Sequence, residues 1–289
     1  MEFKEEDIAD VWNEPPRYAI ITGANTGIGY EMSRILAAKG WHVILACRNR
    51  QRGISAVNDI ISDVGSHARI EFMELDLSSL DSVCNFVRRY SMKLRPLNLL
   101  INNAGIMLAP HALTVDGIEQ TFQVNFVGPY LLTSLLLPKI RGSASADFPS
   151  RVVNVGSVAH RWAPKQGVIL NMTTINDPSN YQRWGWYGHS KLALMLYTRK
   201  LCRDLMYENV YVNCVHPGVI RSDLFRHEGS PCLTFESLRD SRVAGEYFPP
   251  FFGAAGKLIN FFAIPFYRSK ASGALTPLFA ATSPLVTQV

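Results

Sequence analysis

A tyrosine and a lysine stand four positions apart in the run Tyr187-Gly-His-Ser-Lys191. On a helix that spacing puts a phenol and an ammonium on one face. A free tyrosine ionises near pH ~10, too high for easy proton transfer at neutral pH. A neighbouring ammonium stabilises the phenolate, so the spacing predicts a lowered phenol pKa. Such a phenol can give a proton to a reacting oxygen or take one from it. Ser157, in Asn154-Val-Gly-Ser157, carries a hydroxyl able to hydrogen-bond an oxygen where charge develops. Taken singly these residues are ordinary; their weight comes from the elements around them.

A second chemical signal lies near the N-terminus. The segment Thr22-Gly23-Ala24-Asn25-Thr26-Gly27-Ile28-Gly29 falls between an apolar run and a helical pattern. Glycines there let the backbone turn sharply and approach a pyrophosphate closely. The following helix start offers unpaired N–H groups and the positive end of its dipole. A bend that merely turns the chain is the competing reading. The next apolar run ends in Ala46-Cys47-Arg48-Asn49. NAD-specific sites usually place an acid at such a strand end, on the ribose hydroxyls. None stands here. The Arg48 guanidinium, with Arg50 and Arg52 beyond it, can pair bidentately with a 2′-phosphate. This reads as NADP(H) in preference to NAD(H), against the alternative of a solvated basic helix start.

These groups need a frame. Short apolar runs at 18–22, 42–46, 70–75, 97–101, 151–155 and 210–215 read as strands. Helical patterns lie between them at about 28–39, 51–62, 80–94, 117–139 and 188–206. Alternation of this kind predicts an α/β fold: a doubly wound parallel sheet with helices on both faces. Ligands then bind at the carboxyl ends of the strands. No linker, repeat or low-complexity stretch divides the chain. A single domain is expected over residues 17–289, after an N-terminal tail at 1–16.

The glycine pattern TGxxxGxG, followed by Asn102-Asn103-Ala104-Gly105 and by Tyr187-x-x-x-Lys191, resembles the short-chain dehydrogenase/reductase family. The resemblance covers about residues 17 to 285 and implies a Rossmann-type oxidoreductase. It implies that Asn125, Ser157, Tyr187 and Lys191 are the catalytic set, Asn125 holding a water in a relay toward the lysine. It implies that Gly23, Asn25, Gly27, Ile28 and Gly29 hold the cofactor's phosphates and that Asp76 touches its adenine. Asn103 would tie strand ends beside the cofactor. Pro217 and Gly218 would pass the nicotinamide, and Ser222 would bind its carboxamide. The 30-residue step from Ser157 to Tyr187, with Trp162, Trp184 and Trp186 inside it, resembles the retinol dehydrogenase-like branch. That branch implies a small lipophilic substrate: retinoid-, polyisoprenoid- or steroid-like. An aromatic- and proline-rich segment at 223–268 fits a lid over an apolar pocket, a membrane contact or plain core.

Composition narrows the rest. The chain has 289 residues, a net charge of +5 and scattered basic residues, which argues against a nucleic-acid partner. Five dispersed cysteines form no disulfide framework and no zinc spacing, so no metal is expected. The sequence opens polar and acidic, without an apolar leader. A cytoplasmic protein is expected, free or peripheral on a membrane such as the endoplasmic reticulum. Asn171-Met-Thr is a glycosylation sequon, expected to be unused without a secretory signal. The family continues into a further strand where this sequence stops. The expectation is a sheet without that last edge strand, open to homodimerisation. A cofactor-binding regulatory or scaffold protein with little turnover is the alternative function. An ATP module is disfavoured because no GK[ST] loop is present.

Overall fold

The computed structural model describes residues 3–218, 220 and 268–286. Six strands form one parallel sheet: β1 (Tyr18–Thr22), β2 (His42–Cys47), β3 (Ile70–Glu74), β4 (Leu99–Asn102), β5 (Ser150–Val155) and β6 (Val210–Val215). Their spatial order is β3-β2-β1-β4-β5-β6, the doubly wound arrangement. The chain reverses direction across the sheet between β1 and β4, which pair through Ala19↔Leu99 to Ile21↔Ile101. That reversal is where such sheets open a crevice for ligands. The apolar runs are continuous because both faces are covered. Every residue of β4 and β5 is buried.

Among the described residues the helices are α1 (Gly27–Ala38), α2 (Arg50–Val64), α3 (Leu80–Met92), α4 (Gln120–Phe122), α5 (Gly128–Gly142), α6 (Met172–Asn176), α7 (Arg183–Asp204) and α8 (Lys270–Thr282). Local capping sets several of their starts. Asn49 accepts the Arg52 N–H ahead of α2, and Ser79 accepts the Ser82 N–H ahead of α3. One core packs α1, α2 and α8 on one face of the sheet, around Ile21, Leu36, Leu45 and Leu278. The other packs α3, α5 and α7, around Ile20, Phe86, Leu100 and Leu136.

Three elements differ from expectation. The helix read at 117–139 starts at Gln120, and residues Gln123–Val127 form a π-turn before α5. Gly117 has φ +71°, a left-handed conformation that ends rather than starts a helix. The helix read at 188–206 begins earlier, at Arg183. α8 was not read from the sequence at all, because Gly273 and Pro277 interrupt its pattern.

Residues 3–16 do not dangle. Ile8 and Val11 are buried in the core beside α1 and α8. The Val11 N–H donates to Lys39 O, and the Trp12 indole donates to Ala38 O at 3.3 Å. Gly40, at φ +87°, lets the chain press on Trp12: a Cβ there would stand 2.8 Å from the indole. The physical reason is the apolar spacing of Phe3, Ile8, Val11 and Trp12 within an otherwise acidic stretch. Ile8→Ala should therefore cost about 2 kcal/mol of unfolding free energy in urea denaturation. A loss below about 0.5 kcal/mol would mark the segment as a free tail.

Candidate active site

The carboxyl ends of β1, β4 and β5 bring the sequence signals together. Thr22 closes β1. Its hydroxyl accepts the backbone N–H of Asn103 at 3.0 Å and of Ala104 at 2.9 Å. The Asn103 amide donates back to Thr22 O at 2.8 Å. The glycine bend is thereby fastened to the loop after β4. Contact there leaves no room for side chains. A Cβ on Gly23 would lie 2.9 Å from Ala104 Cα, and one on Gly29 would lie 2.5 Å from Gly23 O. Gly23 and Gly27 both adopt φ near +65°, open to glycine without strain. Thr26 precedes α1 without a side-chain cap on the helix. A bend with no room for a Cβ at Gly23 or Gly29, backed by a helix start, has the donor set and the shape for a pyrophosphate.

Arg48 is exposed at the end of β2, and among the described residues no acid follows that strand before α2. Asn25 donates its backbone N–H to the Cys47 sulfur, and burial pushes that thiol up to about 12. Asp76 follows β3, where one carboxylate oxygen accepts both the N–H and the hydroxyl of Ser78. Pro217 is buried just past β6, and Gly218 takes φ +92°. Ser222 and residues 223–267 lie outside the described residues.

Tyr187 and Lys191 share one face of α7, and both are buried. Gly188 makes this possible: a Cβ there would stand 2.5 Å from Ala159 O, so α7 lies backbone-on-backbone against residues 158–163. Ser157 sits at the exit of β5, where its hydroxyl accepts the Ala159 N–H at 3.2 Å and lies near enough to the Tyr187 phenol to favour its ionised form. The Lys191 ammonium donates to Val155 O at 2.9 Å. Its Nζ also lies 3.5 Å from where a Gly105 Cβ would be, beside the Asn125 Oδ1 at 3.2 Å from that point. The loop bearing Gly105 thus joins the glycine bend to the lysine.

The electrostatics correct one expectation. Burial pushes the Tyr187 phenol up to about 12, and the nearby Ser157 hydroxyl only partly offsets it. The same burial brings Lys191 down to about 8. The ammonium stands 5.9 Å from the phenol ring centroid and is committed to Val155 O. Desolvation therefore outweighs the charge effect that the spacing alone suggested.

Asn125 sits in the π-turn, and its side chain is spent on the fold. The amide oxygen accepts the Ile106 N–H at 2.8 Å, while the amide nitrogen donates to Ile106 O and Ser190 Oγ. Its side chain positions the loop at 105–106 rather than facing open space. The resemblance implies that the asparagines at 102 and 103 tie strand ends together; the partners of Asn102 in a buried polar ladder were not legible in sequence. Asn102 donates to Thr133 and Asn154, and Asn154 donates to Thr198, each at 2.8–2.9 Å. Thr22, Thr133 and Thr198 carry no local motif that marks them; only the side-by-side placement of β1, β4 and β5 does. Around the phenol stand Met107, Leu108, Ala159 and Trp184. Among the described residues no group of His, Cys, Asp and Glu could hold a metal. No helix there is long and apolar enough to cross a membrane.

Fold and site together define a dinucleotide-dependent oxidoreductase. A family model described as short chain dehydrogenase matches residues 17–163, and one described as Enoyl-(Acyl carrier protein) reductase matches residues 150–241. Short-chain dehydrogenase TIC 32 B, chloroplastic, of Brassica napus is 43% identical over 230 residues, 78% of this chain and 70% of that protein. Retinol dehydrogenase 12 of Homo sapiens is 41% identical over 219 residues, 76% of this chain and 66% of that protein. Polyprenol dehydrogenase of Homo sapiens is 40% identical over 215 residues, 74% of this chain and 63% of that protein. A solved Pseudomonas aeruginosa RhlG/NADP active-site complex superimposes with TM-score 0.65 at 25% identity, covering 94% of this chain and 92% of that one. The chain belongs to the short-chain dehydrogenase/reductase family. It is an NAD(P)-dependent oxidoreductase acting on CH–OH groups.

Lys191 sets a pH dependence whose sign follows from its lowered pKa. Between about 8 and its ordinary 10.5 the unfolded chain holds a proton on this amine that the folded chain has released. Stability contributed by this group therefore rises with pH across that window. Lys191→Met should flatten this rise, relative to wild type, in urea unfolding of the cofactor-free protein. Parallel pH curves for the two proteins would refute the buried-ammonium reading.

Proposed function

We propose that this chain is an NADP(H)-dependent oxidoreductase of lipophilic alcohols and carbonyls: retinoid-, polyisoprenoid- or steroid-like. The observation that carries the reading is the buried Tyr187 phenol near Ser157, with Lys191 buried one helical turn along, beside the loop that joins the glycine bend. The preference for the phosphorylated cofactor rests on Arg48 at an acid-free strand end. The apolar substrate class rests on the Met107, Leu108 and Trp184 surroundings of the phenol, and on relatives named for retinol and polyprenol.

The glycines at 23, 27 and 29, with Asn25 and Ile28, would hold the pyrophosphate. Arg48 would take the 2′-phosphate and Asp76 the adenine side. Asn103, Pro217, Gly218 and Ser222 would border the nicotinamide. Bound there, the nicotinamide supplies or accepts the hydride. In reduction Tyr187 gives its phenolic proton to the substrate oxygen. Its high pKa keeps that proton in place until the oxygen becomes basic. Ser157 donates a hydrogen bond to the same oxygen as charge grows on it. Lys191 holds positive charge near the phenolate left behind and would hold the nicotinamide ribose of a bound cofactor. Asn125 positions the loop beside it. In oxidation the same phenol, once ionised, takes the alcohol proton.

Tyr187→Phe should lower aldehyde reduction with NADPH by at least about 100-fold in steady-state turnover. Unchanged turnover would remove the phenol from the chemistry. Arg48→Ala should weaken NADPH by about tenfold or more in fluorescence titration, while NADH changes little. Equal weakening of both would take Arg48 off the 2′-phosphate.

A further inference from the structure

We propose that Trp162 and Trp184 form an aromatic rail that selects substrates by the length of their apolar chain. The proposal rests on the carbonyl-reducing role given to Tyr187 above and adds residues to that site.

Trp184 stands three residues before Tyr187 on α7, so both rings lie along one face. It packs onto the cluster of Met107, Leu108, Ala159 and Tyr187. Trp162 meets Trp184 edge to face, with ring centroids 5.0 Å apart and planes at 84°. Residues Val158–Trp162 form a single 3-10 turn that starts directly after Ser157. The chain therefore runs from the hydroxyl that holds the reacting oxygen to an indole within five residues.

Rigidity and exposure together argue for a ligand surface. The turn is pinned on α7 by the backbone contact of Ala159 O with Gly188. Yet Trp162 keeps 46% of its surface exposed, and Val158 keeps 37%. The result is a fixed apolar strip that begins at the phenol, passes over Trp184 and ends in water at Trp162. Trp186, two residues on from Trp184, behaves differently. It is 6% exposed, and its indole donates to Ile175 O at 3.1 Å. That indole serves the fold. An aromatic strip of this kind favours apolar chains long enough to lie along it, since each methylene removed from water adds to binding. A pair that only glued the turn to α7 would affect all substrates alike.

The test is kcat/KM for straight-chain aldehydes from butanal to decanal with NADPH, for wild type, Trp162→Ala, Trp184→Ala and Trp162→Phe. Wild type should favour decanal. The decanal-to-butanal ratio should fall at least about tenfold in both alanine variants, through KM rather than kcat, and Trp162→Phe should restore most of it. An unchanged ratio in the alanine variants overturns the rail, even if their melting temperatures drop. Wild-type turnover without any chain-length preference overturns both the rail and the lipophilic reading. A readout free of turnover separates the two: quenching of tryptophan fluorescence by all-trans-retinal. Where no aldehyde is turned over, saturable quenching of the remaining tryptophans in wild type that needs at least about tenfold more retinal in the double alanine variant supports the rail. Absent quenching in wild type, or equal quenching in the double variant, contradicts it.

Discussion

The site depends on holding a phenol and an amine out of water on one face of α7. Desolvation disfavours both charged forms, raising Tyr187 to about 12 and lowering Lys191 to about 8. A surface pair four residues apart would feel mainly each other. This pair feels the protein first. The dry placement keeps the phenol protonated and loosens the amine's hold on its proton, which a newly arrived negative charge would tighten. It exists because Gly188 lets α7 touch the backbone at Ala159, and because Val155 O gives the ammonium a partner. A Cβ at 188 would strike the backbone at 159–163 and push α7 away from it.

The rest of the frame fixes where that pair sits. β4 and β5 end side by side, and the Thr133–Asn102–Asn154–Thr198 ladder ties them to α5 and α7 through bonds of 2.8–2.9 Å. Each member is buried, so an unpaired one would carry a desolvation cost. Thr22 and Asn103 do the same between β1 and β4. The glycine bend, the Gly105 loop and Lys191 are therefore one connected structure. Asn125 completes it by gripping both backbone groups of Ile106 from the π-turn. The two cores above and below the sheet hold this rim from either side, and residues 3–16 add a strap along α1 and α8.

Strand content and the doubly wound order were legible because buried parallel strands read as unbroken apolar runs, as in Leu99–Asn102. The glycine bend was legible because sterics leave few residue choices where a Cβ would strike backbone at 2.5–2.9 Å. Tyr187, Lys191 and Ser157 were legible by type and order, and the structure brings them together. Their ionisation was not, since spacing reports neighbours along a helix and says nothing of burial. Thr22 meets the loop after β4, while Thr133 and Thr198 reach from α5 and α7 to the ends of β4 and β5, so no local pattern marks them. α8 escaped because Gly273 and Pro277 break its signal, although Gly273 is needed there: a Cβ would meet Ile220 at 2.4 Å.

The central claim is that burial, ahead of charge, governs the Tyr187 phenol. It is tested most directly by carbon-13 NMR of the ring carbon bearing the hydroxyl. Titrating the cofactor-free protein, with Tyr187→Phe to assign the resonance, isolates this one group. The account predicts that Tyr187 stays protonated well beyond the ordinary 10.0 and moves toward about 12. A midpoint at or below 10.0 would show that the lysine dominates, and the account would fail.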